Sequence, residues 1–295
     1  MTDSQSHPDA PRVGLIGFGE AGSTFARAGG WEDSARAWDI LPARKAVIED
    51  CGVIAAGSAS EALEGAAVVL SLVTADQAVP AAEAYAAHMP KGAIWCDMNS
   101  VAPDTKRAAA KAVEAAGGRY VDIAVMAPVD PARLNVPLLF AGEHAHEAMM
   151  LLRALGFAKT RVVGTEIGQA SAIKLCRSIM VKGLEALTAE MVLSASQAGV
   201  LDEVLSSLDA SEKHISWHER ADYNLDRMLL HGRRRSAEMF EACEMIRHLG
   251  ISPMMTENTV NWQQGLGELG VDPLPDGLEG KIAAITETPH YKGEI

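Results

Sequence analysis

One lysine of the chain lies in a segment that could give it acid–base chemistry. Lys174 follows the run Ala170-Ser171-Ala172-Ile173 and precedes Leu175-Cys176, an unusually apolar setting for an ammonium group. Desolvation disfavours the charged form and brings a lysine pKa toward the range of a general acid/base. A lysine that reaches solvent from a half-buried helix fits the same residues equally well. The residues alone therefore leave both interpretations open.

A second group of residues has the spacing of a dinucleotide-binding turn. Directly after the apolar run 13–16, and before a helical pattern, the chain reads Gly17-Phe18-Gly19-Glu20-Ala21-Gly22. The first glycine permits a tight turn, the second lets the backbone approach a pyrophosphate, and the third allows close packing of helix on strand. The amides at the helix N-terminus then face the phosphates. These six residues are predicted to bind the cofactor.

The choice between the two nicotinamide cofactors depends on Asp39. This carboxylate ends the second strand pattern about twenty residues after the glycines, where it accepts hydrogen bonds from ribose hydroxyls and repels a 2′-phosphate. The sequence therefore favours NAD, with NADP the less favoured alternative because Arg44 and Lys45 follow closely.

Two further strand ends are predicted to reach the cofactor, because ligands bind at the carboxyl ends of parallel strands. They are Val73-Thr74 and Asn99-Ser100. The polar side chains of Asp97–Ser100 fit equally well as caps of the helix that starts near Pro103.

These positions require an α/β framework. Between Arg12 and Gly164, short apolar strand patterns alternate with helical patterns, which predicts parallel strands joined by right-handed crossovers. Only helical periodicity follows, beginning with one long helix over residues 168–197. We predict a Rossmann doubly wound parallel sheet joined by this long helix to an all-α C-terminal domain. The domains are a flexible leader at 1–11, an NAD-binding domain at 12–164, and a helical substrate and dimerisation domain at 165–295.

Bulk properties narrow the class of protein. The formal charge of −13 argues against nucleic acid as a partner, since phosphate binding needs clustered lysine and arginine. No apolar run approaches the roughly 20 residues of a membrane span. The polar N-terminal residues do not resemble a secretory signal, so we expect a cytoplasmic protein. The four cysteines are scattered without metal-ligand spacing, and we expect no metal.

The chain resembles the β-hydroxyacid dehydrogenase superfamily, which includes 3-hydroxyisobutyrate, tartronate semialdehyde and 6-phosphogluconate dehydrogenases. Beside the glycine turn, segment 97–103 (Asp-Met-Asn-Ser-Val-Ala-Pro) resembles the family pattern Asp-hydrophobe-Ser-Thr-x-x-Pro. Segment 164–174 resembles the family's glycine-rich segment that ends in lysine. The resemblance implies an NAD-dependent oxidoreductase that interconverts a hydroxyl compound and its carbonyl.

The resemblance also implies roles for three side chains. Lys174 corresponds to the general acid/base of the family. Ser178 replaces the asparagine that usually follows the lysine by four residues, on the same helical face. Glu238 corresponds to the acid of the family's Lys-Asp-Leu-x-x-Ala motif, whose lysine is absent from Ala237–Ala242.

The proposed substrate segment departs from the family pattern, which indicates a divergent branch. The usual Asp-x-Pro-Val-Ser-Gly-Gly is replaced by residues 122–128, ending Met126-Ala127-Pro128. Methionine has no hydroxyl to donate and proline has no N–H, so these residues do not supply the donors of the family's carboxylate cradle. These three residues and Arg234 are candidate substrate contacts, although the Arg233–Arg235 run fits a solvated helix face as well.

The sequence also leaves two alternative functions open and predicts a partner subunit. An imine reductase uses the same architecture on a C=N bond, and a regulator could bind NAD(H) without catalysis. Apolar residues lie nearly all round the helix that begins at Gly168, which indicates burial on several sides. We therefore expect a homodimer through the C-terminal helical domain, acting on a small-molecule substrate.

Overall fold

The computed structural model describes residues 11–211 and 215–288. Apart from Pro11, the predicted leader lies outside the described residues. The chain divides into two compact units, residues 1–179 and 180–295. The predicted domain boundary at 164/165 stays a prediction.

The first unit contains an eight-stranded sheet with the strand order β3-β2-β1-β4-β5-β6-β7-β8. This order confirms the predicted doubly wound fold, because the chain reverses its direction of growth between β1 and β4. The strands are β1 (Val13–Ile16), β2 (Ala35–Trp38), β3 (Ile54–Ala55), β4 (Val68–Ser71), β5 (Ile94–Asp97), β6 (Arg119–Val125), β7 (Leu138–Ala141) and β8 (Thr160–Gly164).

Three polar residues lie side by side at the carboxyl end of this sheet. Ser71 of β4 is paired with Asp97 of β5, which is paired with Asp122 of β6. Paired residues of neighbouring parallel strands point to the same face. All three side chains are fully buried, and β4 and β5 are otherwise apolar.

The expectation of parallel strands is wrong at one place, since β7 runs antiparallel to β6. A parallel crossover usually needs a helix that packs on the sheet. The connection between the two strands contains only a four-residue helix, α6 (Val129–Ala132), and a 3-10 turn at Arg133–Asn135. Without a longer helix to cross the sheet, the connection returns the chain along the neighbouring strand.

Helices cover both faces of the sheet. One apolar cluster includes Phe25 and Leu152, and the other includes Leu63 and Trp95, so each face of the sheet has its own core. The remaining helices of this unit are α1 (Glu20–Gly29), α2 (Arg44–Asp50), α3 (Ala59–Leu63), α4 (Ala78–Tyr85), α5 (Pro103–Ala115) and α7 (Ala145–Ala154). Further 3-10 turns lie at Glu32–Ser34, Ala75–Gln77 and Ala86–His88.

Every regular element of the second unit, within the described residues, is a helix. The long helix α8 (Gln169–Gln197) begins in the first unit and confirms the predicted long helix. It is followed by α9 (Leu201–Ser211), α10 (Trp217–His248), α11 (Met254–Glu268) and α12 (Gly277–Thr286). None of the helices described is both long and apolar enough to cross a membrane.

Two glycines set the contact between α10 and α11. A Cβ on Gly267 would lie 2.5 Å from the backbone nitrogen of Arg233, and a Cβ on Gly232 would overlap the carbonyl oxygen of Gln263. The two backbones therefore touch where neither residue has a side chain.

Candidate active site

The glycine turn starts directly after β1. Gly17 has a φ of +85°, which L residues rarely adopt, and its N–H donates to the carbonyl of Trp38 at 3.0 Å. A Cβ on Gly17 would lie 2.7 Å from the carbonyl oxygen of Leu72 and 2.9 Å from Cγ1 of Val73. The turn thus packs against the end of β4, and only glycine fits this position.

Asp39 is tied to the same turn by its carboxylate. Oδ2 accepts a hydrogen bond from the backbone N–H of Phe18 at 2.7 Å, and Oδ1 accepts one from Leu41 at 2.8 Å. A carboxylate has about four lone-pair sites. Two of the four have no hydrogen-bond partner among the described residues.

The N-terminus of α1 faces open space. Gly19 occupies the N-cap position without a side-chain cap, and a Cβ placed there would meet no atom within 4 Å. Glu20, Ala21 and Gly22 form the first turn of the helix, so their amides point toward this space. Thr74, at the end of the neighbouring β4 segment, is exposed.

Lys174 lies next to the end of β5. Its Nζ donates to Oγ of Ser100 at 2.5 Å, although the two residues are 74 positions apart in the chain. Asn99 is buried, and its Nδ2 donates to Oγ of Ser71 at 3.0 Å. The structure therefore brings together the predicted acid/base and two predicted cofactor residues.

A buried ion cluster lies behind this contact. Lys106 is fully buried, and its Nζ donates to the Asp97 carboxylate at 2.8 Å and to the Asp97 carbonyl at 2.7 Å. The same Nζ lies 3.4 Å from Oδ1 of Asp122, an ion pair without hydrogen-bond geometry. One ammonium thus stands between two buried carboxylates, at positions where a lone charge would be strongly destabilising.

The other oxygen of Asp122 caps the long helix. Its Oδ2 accepts from the backbone N–H groups of Gly168 and Ser171, at 3.1 and 3.0 Å, and from the Ser171 hydroxyl at 3.2 Å. A carboxylate at a helix N-terminus satisfies amides that have no partner within the helix. Lys174 follows Ser171 by one helical turn, so Asp122 fixes the start of the helix that presents the lysine.

Tyr120 completes the cluster. Its hydroxyl donates to Oδ2 of Asp97 at 2.7 Å. Burial, and next the charge of Asp97, raise the pKa of the Tyr120 phenol well above its ordinary value. The phenol therefore stays protonated and supplies a permanent donor to the carboxylate.

Sequence reasoning missed Lys106, and it misread the segment before it. The N-cap of α5 is Ala102, which forms no side-chain cap, so the interpretation of Asp97–Ser100 as helix caps is wrong. Asp97 instead accepts from the backbone of Asn99 and from Lys106. Helical spacing was a usable signal, because Lys106 shares the buried face of α5 with residues three, four and seven positions later.

Three of the four predicted substrate residues follow β6. Met126 packs beside Ala170 at the start of α8, and its N–H is bound to the carbonyl of Pro137 at 2.9 Å. Ala127 and Pro128 are exposed. The amide of Met126 is therefore occupied.

The remaining predicted residues lie on the two long helices. Ser178 is one turn beyond Lys174 on α8 and is half-buried. Arg234 is exposed on α10, while the side chain of Glu238 lies outside the described residues. Across the described part of the chain, no group of three or more His, Cys, Asp or Glu side chains could hold a metal ion.

Comparison with known proteins identifies the framework of this site. Residues 12–164, just over half of the chain, match the family described as the NAD binding domain of 6-phosphogluconate dehydrogenase. The chain belongs to this family. Residues 195–266 of this 6-phosphogluconate dehydrogenase-like chain match a domain of unknown function, DUF1932.

Three individual proteins are similar to most of the chain. A conserved hypothetical protein from Sinorhizobium meliloti 1021 is 36% identical, with a TM-score of 0.59, over 92% of this chain and 94% of that one. The 3-hydroxyisobutyrate dehydrogenase of Pseudomonas aeruginosa is 25% identical over 223 residues, 70% of this chain and 71% of that protein. An imine reductase variant from Myxococcus stipitatus, in complex with NAD+, has a TM-score of 0.71 over 88% of this chain and 94% of its own. At 18% identity, this last likeness concerns the fold alone.

The residues of the family member fit an NAD cofactor. The uncapped N-terminus of α1, beside the open space at Gly19, supplies amides for a diphosphate. The remaining lone pairs of Asp39 supply acceptors for a ribose. The expectation of an NAD-binding domain is confirmed by the family match, while the residues that hold the cofactor stay a prediction.

We predict that Gly19→Ala weakens dinucleotide binding without weakening the fold. The added methyl group points into open space, so thermal stability should change by no more than about 0.5 kcal/mol. The Kd for NADH should rise about tenfold or more, because the backbone can no longer approach the pyrophosphate closely. Fluorescence titration measures the Kd. Gly265→Ala, which also meets open space but lies in α11, is the control and should leave the Kd unchanged. Equal Kd values for the two variants would contradict the assignment.

We predict that Lys106→Met destabilises the protein by about 3–5 kcal/mol, since it leaves two buried carboxylates without their cation. Chemical denaturation measures the change. Lys111→Met removes an exposed lysine from the same helix and should change stability by about 0.5 kcal/mol at most. Similar losses of stability in both variants would contradict the stabilising role of the buried ion cluster.

Proposed function

We propose that the protein is an NAD-dependent dehydrogenase that interconverts a hydroxyl compound and its carbonyl, with Lys174 as general acid/base. The observation that supports this most directly is the contact of the Lys174 amine with Ser100, at the end of β5. The amine is held at the sheet edge where cofactors of this fold bind.

The protein contributes proton transfer and orientation. In the reductive direction, the Lys174 ammonium donates its proton to the carbonyl oxygen of the substrate, and in the oxidative direction the neutral amine accepts the hydroxyl proton. The nicotinamide, when bound, supplies or accepts the hydride. We propose that Ser100 and Ser178 orient the lysine or the substrate oxygen by hydrogen bonds, and that Glu238 assists them from α10.

The substrate is proposed to be a small molecule that is not gripped by the usual carboxylate cradle. The amide of Met126 is occupied by Pro137, and Pro128 has no N–H to offer. Apolar contact with Met126 and an ionic contact with Arg234 are the alternatives that this chain offers. A cyclic imine in place of the carbonyl, or a regulator that binds NAD(H) without turnover, gives distinct outcomes in the experiment below.

A homodimer through the helical domain is part of the proposal. Exposed apolar side chains share one face of α8, among them Ile173, Met180, Leu184 and Leu187. Such a face favours burial against a second copy of the chain. The cytoplasmic location stays a prediction.

We predict that Lys174→Ala lowers kcat for carbonyl reduction by about 100-fold or more, because the proton donor is lost. Loss of NADH absorbance measures turnover of a panel of aldehydes, ketones and cyclic imines. The NADH Kd should stay unchanged. Lys174→Arg should be as inactive as the alanine variant, because guanidinium does not release a proton near neutral pH.

Lys111→Ala, an exposed lysine in the same unit, is the matched control and should keep full activity. Undiminished carbonyl reduction by Lys174→Ala would remove the proposed proton donor. Turnover of imines but not carbonyls would identify a C=N reductase. Tight NADH binding without any turnover would identify a regulator.

We predict that the unmodified protein prefers NADH and that Asp39→Asn reduces the preference over NADPH about tenfold or more. The substitution keeps an acceptor for Phe18 but removes the charge that repels a 2′-phosphate. Competitive titration with both reduced dinucleotides measures the ratio. Asp50→Asn, at an exposed carboxylate of the same unit, should leave it unchanged. Tighter binding of NADPH by the unmodified protein would contradict the cofactor assignment.

A further inference from the structure

A second cavity lies within the helical unit. Its volume is about 340 Å³, which is at the lower end of the range for small-molecule sites. The described residues that line it come from α10 and α11: Tyr223, Asn224, Arg227, Met228, Arg235 and Gln263. The dehydrogenase chemistry proposed above uses none of them.

Two polar atoms of this lining are buried without a partner among the described residues. They are Nε of Arg235, a donor, and Oε1 of Gln263, an acceptor. The Gln263 side chain belongs to a residue only 8% exposed. Leaving a buried polar atom unsatisfied destabilises a fold by about 1–3 kcal/mol. A ligand with one acceptor and one donor would satisfy both atoms.

The close contact of the helices explains why these atoms are buried. Gly232 lies one helical turn before Arg235, and Gly267 lies one turn after Gln263. Because the backbones touch at this glycine pair, the flanking side chains are held between the two helices. The arrangement is thus fixed by the backbone.

The charge of the lining favours an anion. Arg227 and Arg235 contribute two guanidinium groups, and none of the six lining residues is acidic. The nearby carboxylates Asp222 and Asp226 are already paired with Lys281, at 2.6 and 2.8 Å. A cationic cavity is unusual in a chain whose formal charge is −13.

We propose that this cavity binds a small carboxylate that also carries a hydrogen-bond donor, such as a hydroxyl group. The carboxylate binds the guanidinium of Arg235, and the donor satisfies Oε1 of Gln263. Arg227 adds a second positive charge. The site is additional to the dinucleotide site and gives the C-terminal helical unit a binding function of its own.

Three matched probes test the ligand class on the full chain without dinucleotide. Lactate has both a carboxylate and a hydroxyl group, acetate lacks the hydroxyl, and lactamide lacks the charge. Isothermal titration should give the tightest binding for lactate, with acetate and lactamide each at least tenfold weaker. Equal binding of lactate and lactamide, or no binding of lactate at millimolar concentration, would overturn the proposal.

Substitutions locate the probe. Arg235→Met and Gln263→Met should each weaken lactate binding at least tenfold, while Arg233→Met, at an exposed arginine of the same helix, should leave it unchanged. Arg235→Lys keeps the charge but loses the Nε donor, so it should bind lactate with intermediate affinity. This conservative variant keeps the test valid if Arg235→Met does not fold.

Two readouts separate this site from structural packing and from the proposed active site. Gln263→Met should raise the Tm of the ligand-free protein, because it removes an unsatisfied acceptor. A lowered Tm would indicate that water satisfies this acceptor, and it would count against the proposal. Lys174→Ala should leave lactate binding intact. Lactate binding lost in Lys174→Ala but kept in Arg235→Met would place the probe at the active site and overturn this inference, while the proposed dehydrogenase function would stand.

Discussion

The carboxylate of Asp122 is the group on which the arrangement of the active site depends. One of its oxygens faces the buried Lys106 ammonium, and the other holds the first amides of α8. A buried carboxylate is stable only when charge and hydrogen bonds compensate its desolvation, and here both sides are compensated. The sheet and the long helix are therefore joined at one point, one helical turn from Lys174.

In the helical unit, a buried carboxylate from another helix likewise caps the N-terminus of α11. The N-terminus of α11 has no cap from its own residues, and the carboxylate of Glu190 on α8 accepts from the amides of Met255 and Thr256 at 2.8 and 2.9 Å. In both cases a buried acid from another element determines where a helix begins. Such remote caps are tertiary contacts, because residues far apart in the chain form them.

Local patterns predicted the glycine turn, Asp39 and the helix of Lys174, because each depends on residues close in the chain or on a fixed spacing. The contact between Lys174 and Ser100 was not predicted, since 74 positions separate the two residues; the family resemblance gave only a role for each of them. The role of Lys106 could not be predicted in full, because its partners lie on two different strands. The antiparallel β7 was missed for a related reason: the direction of a strand depends on its connection, and strand patterns do not encode direction.

The central claim, that Asp122 holds the start of the helix carrying Lys174, is tested most directly by amide hydrogen exchange of the native protein. The Gly168 and Ser171 amides donate to a fully buried carboxylate, so they should exchange as slowly as the amides of β5 and β6, by global unfolding. Exchange of these two amides at the rate of an exposed loop, while the strands stay protected, would contradict the account.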